Sequence, residues 1–390
     1  MRRLVLFLLL GAAGFPAIAQ SSMGAKSRVE AIISEIKEQY APDRRQAVFD
    51  VKAYHNNDGA LIVGGSVSDS IAYRCLGEAL RASGVEYAES VVMLPYDKWA
   101  IVNLSVASLR TAAKHSAEMS TQATMGTPLR ILEKDGNWLR VQCPDGYIAY
   151  IPSSSVAKKS AEEMKQWRNS PRFIVTATSP PRVYRNSTTS GMRDVVGDLV
   201  LGSIVEIPAS APNVQDGRLE ILLPDRRRGF VEANALESIG HWASQDFDAD
   251  RILDTAYSLE GTPYLWGGTS AKALDCSGLT KVSYFANGLI LMRDASQQAE
   301  TGTKIAAKDW RMCRPGDLLF FGNARTGKVT HVAIYDSNGN YVHSSGRVKR
   351  NSVDPDSEAY LKTPFLHAVR IAGNEESAGI TRARNHPWYF

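Results

Sequence analysis

Three residues of this 390-residue chain pair a reactive side chain with a setting suited to chemistry: Cys276, His331 and His343. Cys276 directly follows Asp275 in the run LDCSGLTKVSYFANG, residues 274–288. Asp275 is a good helix N-cap, Leu279, Val282 and Phe285 fall on one helical face, and Gly288 ends the helix. The cysteine therefore belongs to the first turn and not to the apolar stripe. A helix N-terminus carries partial positive charge and unpaired backbone N–H groups. The thiol pKa is expected to fall there, and the same N–H groups can donate to an oxyanion. That position suits a nucleophile better than a core filler.

A cysteine nucleophile needs a base, and the base needs an orienting partner. His331 and His343 flank the turn DSNGN. A two-residue loop, Asn338-Gly339, would put the two imidazoles on opposite faces of the ladder. A three-residue loop, Ser337 to Gly339, would put them on one face as diagonal neighbours. Asn-Gly with a left-handed glycine suits the three-residue form, so the spacing permits a base and an orienter together. His55, His115, His241, His367 and His386 have no such context and read as surface or core residues.

The elements that must position these groups start near Phe247. DADRILDTAYSLEG reads as a helix that Gly261 can end, and GTPYLWGG is a glycine-rich approach to the cysteine. The strands DLLFF (317–321), HVAIYD (331–336) and NYVHSS (340–345) follow, an α+β arrangement. Upstream, NWLRVQCPDGYIAYIPSSSV (137–156) aligns with GRLEILLPDRRRGFVEANAL (217–236), and MGTPLRILEKDG (125–136) with LGSIVEIPASAP (201–212). Short strands, polar turns and a repeat of about 80 residues predict two small β-barrels in tandem. KKSAEEMKQWRNSP (158–171) is a charged helical connector between them. Residues 24–97 read as a small mixed domain: a helix in SRVEAIISEIKEQY, two strands about an Asn-Asp-Gly turn, and a helix in SDSIAYRCLGEALRASGV.

The composition, 44% hydrophobic and 22% charged, is that of an ordinary globular chain. MRRLVLFLLLGAAGFPAIAQ reads as a secretion signal: Arg2 and Arg3, a short apolar run, and Ala17-Ile18-Ala19 as the cleavage site. Residues 1–19 would be removed, no cysteine follows for a lipid anchor, and no later run is long enough to span a bilayer. The formal charge of +4 loses two arginines with that segment, which argues against a dedicated nucleic-acid binder. The basic turn PDRRRGF (224–230) reads as solvated. Four cysteines lack CxxC spacing, so structural zinc is not expected; Cys75, Cys143 and Cys313 are expected to be buried free thiols.

The run PYLWGG…LDCSGLTKVSYF…RDASQQ…RPGDLLFF…THVAIY…YVHSS resembles the NlpC-type, papain-like cell-wall cysteine peptidases over residues 244–372. The whole chain is similar to multidomain members of that family. The resemblance implies a mixed α/β N-terminal domain (20–97), a first SH3-like barrel (98–156), a linker helix with a second SH3-like barrel (157–243) and an α+β papain-like peptidase domain (244–390). It implies an exported, periplasmic or secreted γ-D-glutamyl-L-diamino acid endopeptidase that acts on peptidoglycan stem peptides and uses no cofactor or metal. Cys276 would be the nucleophile, His331 the base and His343 the orienting residue. Tyr264 would line the oxyanion site, and Trp266, Asp275, Ser277 and Asp294 the substrate groove. Four of these also have a plain reading: packing for Tyr264 and Trp266, a cap for Asp275, a pairing with Arg293 for Asp294. Ala295 stands where some relatives carry a hydroxyl.

SAEMSTQATMG and PDGYIAYIP resemble the first barrel of those relatives, where it walls the cleft and restricts cleavage to peptides with a free amino-terminal L-alanine. Glu118 and Tyr147 match that role; a solvated acid and a barrel-packing aromatic are the alternatives. The same scaffold also admits a general peptidoglycan hydrolase, an amidase or acyltransferase, or a non-catalytic wall-binding protein. Lysine and diaminopimelate both fit the diamino acid position.

Overall fold

The computed structural model describes residues 24–188, 191–208 and 214–390. The expected secretion signal lies outside the described residues. The chain divides into two compact units between Leu94 and Pro95.

In the first unit, helices α1 (Ala25–Tyr40) and α2 (Ser70–Ala82) cover one face of a sheet ordered β1 (Phe49–His55), β2 (Leu61–Val67), β3 (Ala88–Met93). β1 and β2 form the expected hairpin about Asn56–Ala60, and β3 returns parallel to β2 after the α2 crossover. Asp69 caps α2 by accepting from the backbone of Ile71 and Ala72, and Leu76 and Leu80 bury the helix against Val63 and Val67. Cys75 is partly exposed on this helix, unlike the buried Cys143 and Cys313, which corrects the expectation of three buried thiols; all four cysteines are free.

The second unit opens with two seven-stranded, strongly bent sheets. The first holds β4 (Trp99–Val102), β5 (Val106–Arg110), β6 (Met119–Thr124), β7 (Pro128–Asp135), β8 (Trp138–Gln142), β9 (Ile148–Pro152) and β10 (Val156–Lys159). The connector is α3 (Ala161–Asn169), capped by Ser160 and Glu163 in a reciprocal box. The second sheet holds β11 (Arg172–Val175), β12 (Arg182–Tyr184), β13 (Val195–Asp198), β14 (Ile204–Glu206), β15 (Arg218–Leu222), β16 (Arg228–Glu232) and β17 (Leu236–Ser238). Their strand orders, β10-β4-β7-β8-β9-β5-β6 and β17-β11-β14-β15-β16-β12-β13, are the same topology. The central hairpins also share a register: Trp138 pairs Pro152 in one and Arg218 pairs Glu232 in the other, an offset of 80 residues at both ends. The internal repeat is thus a repeat of structure.

After α4 (Ile239–Ser244) and α5 (Ala249–Ser258) come the short pair β18 (Thr269–Ser270) and β19 (Ala273–Leu274), helix α6 (Cys276–Phe285), β20 (Leu289–Leu291) and α7 (Ala295–Gln298). The main sheet is β21 (Thr303–Ala306), β22 (Leu318–Gly322), β23 (Val329–Tyr335), β24 (Asn340–Ser345), β25 (Arg347–Ser352) and β26 (Phe365–Arg370), in the order β21-β26-β22-β23-β24-β25. β27 (Ile380–Arg382) pairs with β20. Val332, Ile334, Val342 and Val348 of the sheet pack on Leu279 and Val282 of α6 and on Ile252 and Leu253 of α5.

A shared core joins the barrels to this domain. Ile101 of β4, Met164 and Trp167 of α3, Ile174 and Ile204 of the second sheet, Trp242 of α4, Ile290 of β20 and Tyr389 are buried together. Trp242 also donates its Nε1–H to the Phe285 carbonyl at the end of α6, 2.8 Å away. The apolar faces left over by two small barrels are therefore spent on one interface, which fixes them against the helix that carries Cys276.

Candidate active site

Asp275 starts α6. Its Oδ1 accepts from the Gly278 backbone at 2.7 Å and from the Ser277 hydroxyl at 3.3 Å, and its Oδ2 accepts from the Gly267 backbone at 3.0 Å. The GTPYLWGG loop is thereby tied to the helix start. The approach is close: a Cβ on Gly278 would lie 1.9 Å from the Gly268 carbonyl oxygen, so no larger residue fits. Cys276 itself is buried, and the backbone N–H groups of Val332 and Ser277 act on its sulfur. Val332 immediately follows His331, so strand β23 delivers both the N–H and the imidazole to the same neighbourhood.

The electrostatics correct one expectation. The Cys276 thiol is pushed up to about 11, first by burial and then by the carboxylate of Asp275; the N–H groups of Val332 and Ser277 and the Arg293 guanidinium oppose this and do not win. The helix terminus by itself would lower the thiol pKa. The helix is buried on almost every side, and desolvation penalises the thiolate more than the terminus favours it. The cap that starts the helix also sets a carboxylate beside the sulfur.

His331 and His343 share one face of the β23–β24 hairpin. Tyr335 pairs Tyr341, Asp336 N–H donates to the Asn340 carbonyl, and Asn338 and Gly339 have φ of +50° and +82°. This is the three-residue loop. His331 Nε2 lies 2.7 Å from His343 Nδ1, and His343 Nε2 lies 3.0 Å from Asn351 Oδ1 on β25. Burial is the first cause lowering both imidazoles to about 4; His343 and then Lys349 add for His331, while for His343 the Asn351 contact opposes and Lys349 adds. Both rings are neutral at pH 7, and a neutral imidazole can accept a thiol proton.

Of the groove candidates, Tyr264 stands near Cys276 and Asp275, with its phenol raised to about 12 by burial and then by those two groups. It therefore remains a donor. Trp266 is 62% exposed, a large aromatic surface beside the loop glycines. Asp275 and Ser277 are buried and engaged inside the protein: Arg293 Nη1 donates to Ser277 Oγ at 2.9 Å and Nη2 to Asp275 Oδ2 at 2.6 Å. Asp294 is half-buried at the start of α7, where its backbone N–H donates to Gln297 Oε1. Arg293 forms its ion pair with Asp275 and not with Asp294. Among the described residues, no group of three or more His, Cys, Asp or Glu side chains could hold a metal ion.

The first barrel docks on this site through β6. Gln122 Oε1 accepts from Thr269 N–H and Ser270 hydroxyl, Gln122 N–H donates to Thr269 Oγ1, and Arg293 Nε donates to Thr121 Oγ1 at 2.9 Å. Gly267, with φ of +80°, has the Met119 carbonyl oxygen 2.7 Å from where a Cβ would stand. Glu118, exposed and one residue before Met119, is thus brought beside the Trp266 loop. Tyr147 is buried with the barrel core, near Arg293. Sequence reasoning missed Arg293, Gln122 and Asn351. Strand alternation from Gly346 through RVKRNS could have put Asn351 opposite Tyr341; nothing local marks the other two.

Residues 261–370 match the NlpC/P60 family, and residues 109–156 match the bacterial dipeptidyl-peptidase Sh3 domain. The gamma-D-glutamyl-L-lysine dipeptidyl-peptidase of Bacillus cereus is 25% identical over 262 residues, 64% of this chain and 74% of that protein. The probable endopeptidase NlpC of Escherichia coli is 38% identical over 123 residues, 31% of this chain and 76% of that protein. A crystal structure of an NlpC/P60 family protein from Bacillus cereus covers 70% of this chain and 99% of its own, with a TM-score of 0.59 at 21% identity, a likeness of fold.

Proposed function

The chain belongs to the NlpC/P60 family of cysteine peptidases, and on that premise we propose that it hydrolyses the γ-D-glutamyl–L-diamino acid bond of peptidoglycan stem peptides with Cys276, His331 and His343. The observation that carries the reading is the meeting of the α6 start with the His331–His343 pair: the Val332 N–H acts on the Cys276 sulfur, and the adjacent His331 ring touches His343 at 2.7 Å.

His331, neutral at pH 7, takes the thiol proton as the sulfur attacks the γ-carbonyl. Because the free thiol sits high, at about 11, proton transfer accompanies attack and does not precede it. The tetrahedral oxyanion accepts from backbone N–H at the start of α6 and from the Tyr264 phenol. His331 then gives its proton to the departing α-amine of the diamino acid. Water, activated by the same imidazole, releases the acyl group from Cys276. Asp275 and Ser277 hold the helix start and loop in place, and Trp266 offers its exposed face to the peptide.

Glu118 at the first-barrel wall supports selection for a free amino-terminal L-alanine. An ammonium that enters a narrow cleft loses water and needs a fixed anionic partner. The first-barrel match to a dipeptidyl-peptidase domain supports the same selection. With the sequence of residues 1–19, this substrate supports action outside the cytoplasm, on released stem peptides.

The test is to incubate the protein with L-Ala-γ-D-Glu-L-Lys and with its diaminopimelate counterpart and to weigh the products. The expected products are the L-Ala-γ-D-Glu dipeptide and the free diamino acid, absent with Cys276→Ala. Scission at another amide would overturn the assignment.

A further inference from the structure

Asn351 sits on β25, opposite Tyr341, in a position that no motif marks. Its amide makes two contacts. Nδ2 lies 3.0 Å from the Ala359 carbonyl oxygen, and Oδ1 lies 3.0 Å from His343 Nε2. The first contact decides the second. A carbonyl oxygen can only accept, so the amide must present its NH2 to Ala359; the opposite orientation would set two oxygens against each other. Oδ1 therefore faces His343, and His343 Nε2 must carry the proton. In a neutral ring the other nitrogen is then bare. His343 Nδ1 accepts, and at 2.7 Å its donor is the Nε2–H of His331. Two ring nitrogens of the relay then carry no proton; His343 Nδ1 already accepts from His331, so Nδ1 of His331 is the one left to take a further proton.

We propose that Asn351 is a positioning residue that sets the tautomers of both imidazoles, so that the thiol proton goes to Nδ1 of His331. The role rests on the catalytic assignment of Cys276, His331 and His343 proposed above. Asn351 acts through His343 and does not touch the reacting atoms. Its orientation comes from the 353–365 segment through Ala359, whose carbonyl also accepts from Ser352 N–H at 2.9 Å. The relay thus begins on a loop outside the strand hairpin. The groups that face it are Tyr341, ring centroid 5.1 Å from His343, Lys349 directly across β25, Phe321 from β22 against His331, and Asp275 from the α6 cap. Among these only Asp275 is anionic. An uncharged acceptor at 351 adds nothing that favours an imidazolium, whereas a carboxylate there would raise the pKa of the rings.

The first readout needs no substrate. In the full chain labelled with 15N-histidine, near pH 7.5, His331 and His343 should both show the Nε2–H tautomer, assigned with His331→Asn and His343→Asn. In Asn351→Ala, His343 should become a tautomer mixture, with His331 following. Asn351→Asp loses the donor to the Ala359 carbonyl but keeps an oxygen facing His343 Nε2, and should restore the wild-type tautomers in the neutral rings. The second readout is kinetic. Asn351→Ala should lower kcat about 10- to 100-fold with KM unchanged, by analogy with the loss when the outer partner orienting a metal-bound imidazole is removed. Asn351→Asp should recover most of kcat and move the acidic limb of the pH profile upward, since its charge stabilises an imidazolium. If Asn351→Ala does not fold, the wild-type tautomers and Asn351→Asp still decide. A wild-type His331 protonated at Nδ1, or an Asn351→Asp acid limb that does not move, overturns the proposal. Tautomers as expected without tripeptide cleavage would instead overturn the catalytic reading alone.

Discussion

The Arg293 guanidinium and the Asp275 carboxylate meet in a two-pronged contact, Nη2 to Oδ2 at 2.6 Å and Nη1 to Oδ1 at 3.2 Å, with side chains 1% and 9% exposed. The same guanidinium donates to Thr121 of the first barrel. One buried cation thus joins the cap of α6 to strand β6 of the first barrel. Burial alone would weaken the charge on Arg293, and Asp275 more than offsets it, so the guanidinium titrates above its ordinary value.

Arg293→Met should leave Asp275 buried without its counter-ion and cost about 3–5 kcal/mol. The double variant Arg293→Met/Asp275→Asn should cost clearly less than the sum of the two single changes. Urea unfolding of the four proteins measures both. Additive losses would mean that the pair carries no coupling and that Thr121 or packing explains the Arg293 effect.

Iodoacetamide should label Cys276 slowly at neutral pH. With the thiol near 11, its alkylation rate should climb about tenfold per pH unit between pH 7 and 9, because only the thiolate reacts. Cys143 and the Cys313 thiol, raised to about 12 by burial and then Asp317, should lag; the partly exposed Cys75 should not. A flat rate for Cys276 across that range would reveal a preformed thiolate–imidazolium pair.

The two buried imidazoles should make stability fall in acid. Their folded pKa values are about 4, against about 6.5 in the unfolded chain. Between those values the unfolded chain binds protons that the fold does not, so stability rises with pH. This contribution is complete above roughly pH 6.5 and is lost as pH falls toward about 4. Urea midpoints of the wild type should drop more steeply over that window than those of His331→Asn/His343→Asn. Parallel curves would assign the acid loss to other groups.

N-acetylation of L-Ala-γ-D-Glu-diamino acid should remove most of kcat/KM, and Glu118→Gln should reduce the preference for the free amine. Tyr147, buried in the barrel core, has less surface to offer, so Tyr147→Phe should change that preference less than Glu118→Gln. Equal rates on free and acetylated peptides would remove the amine pocket and leave a general wall hydrolase.

Much of the site is written locally. Asp275 as a cap, Cys276 in the first turn, and the Asn-Gly loop that aligns His331 with His343 each depend on dihedral preferences and spacings within a few residues. The repeat of 80 residues is likewise visible as a pattern of strands and turns, and the shared register confirms it. What the tertiary structure alone decided depends on groups far apart in the chain. Arg293 chose Asp275, 18 residues away, over its neighbour Asp294, because the helix start sets a carboxylate against it out of water. Its contact with Thr121 spans 172 positions, and that of Gln122 with Thr269 spans 147. The direction of the Cys276 shift is of the same kind. A helix terminus can be read from five residues, but desolvation is the sum of everything packed around the sulfur, and that sum exists only once α6, β23 and the loop before Cys276 have closed on one another.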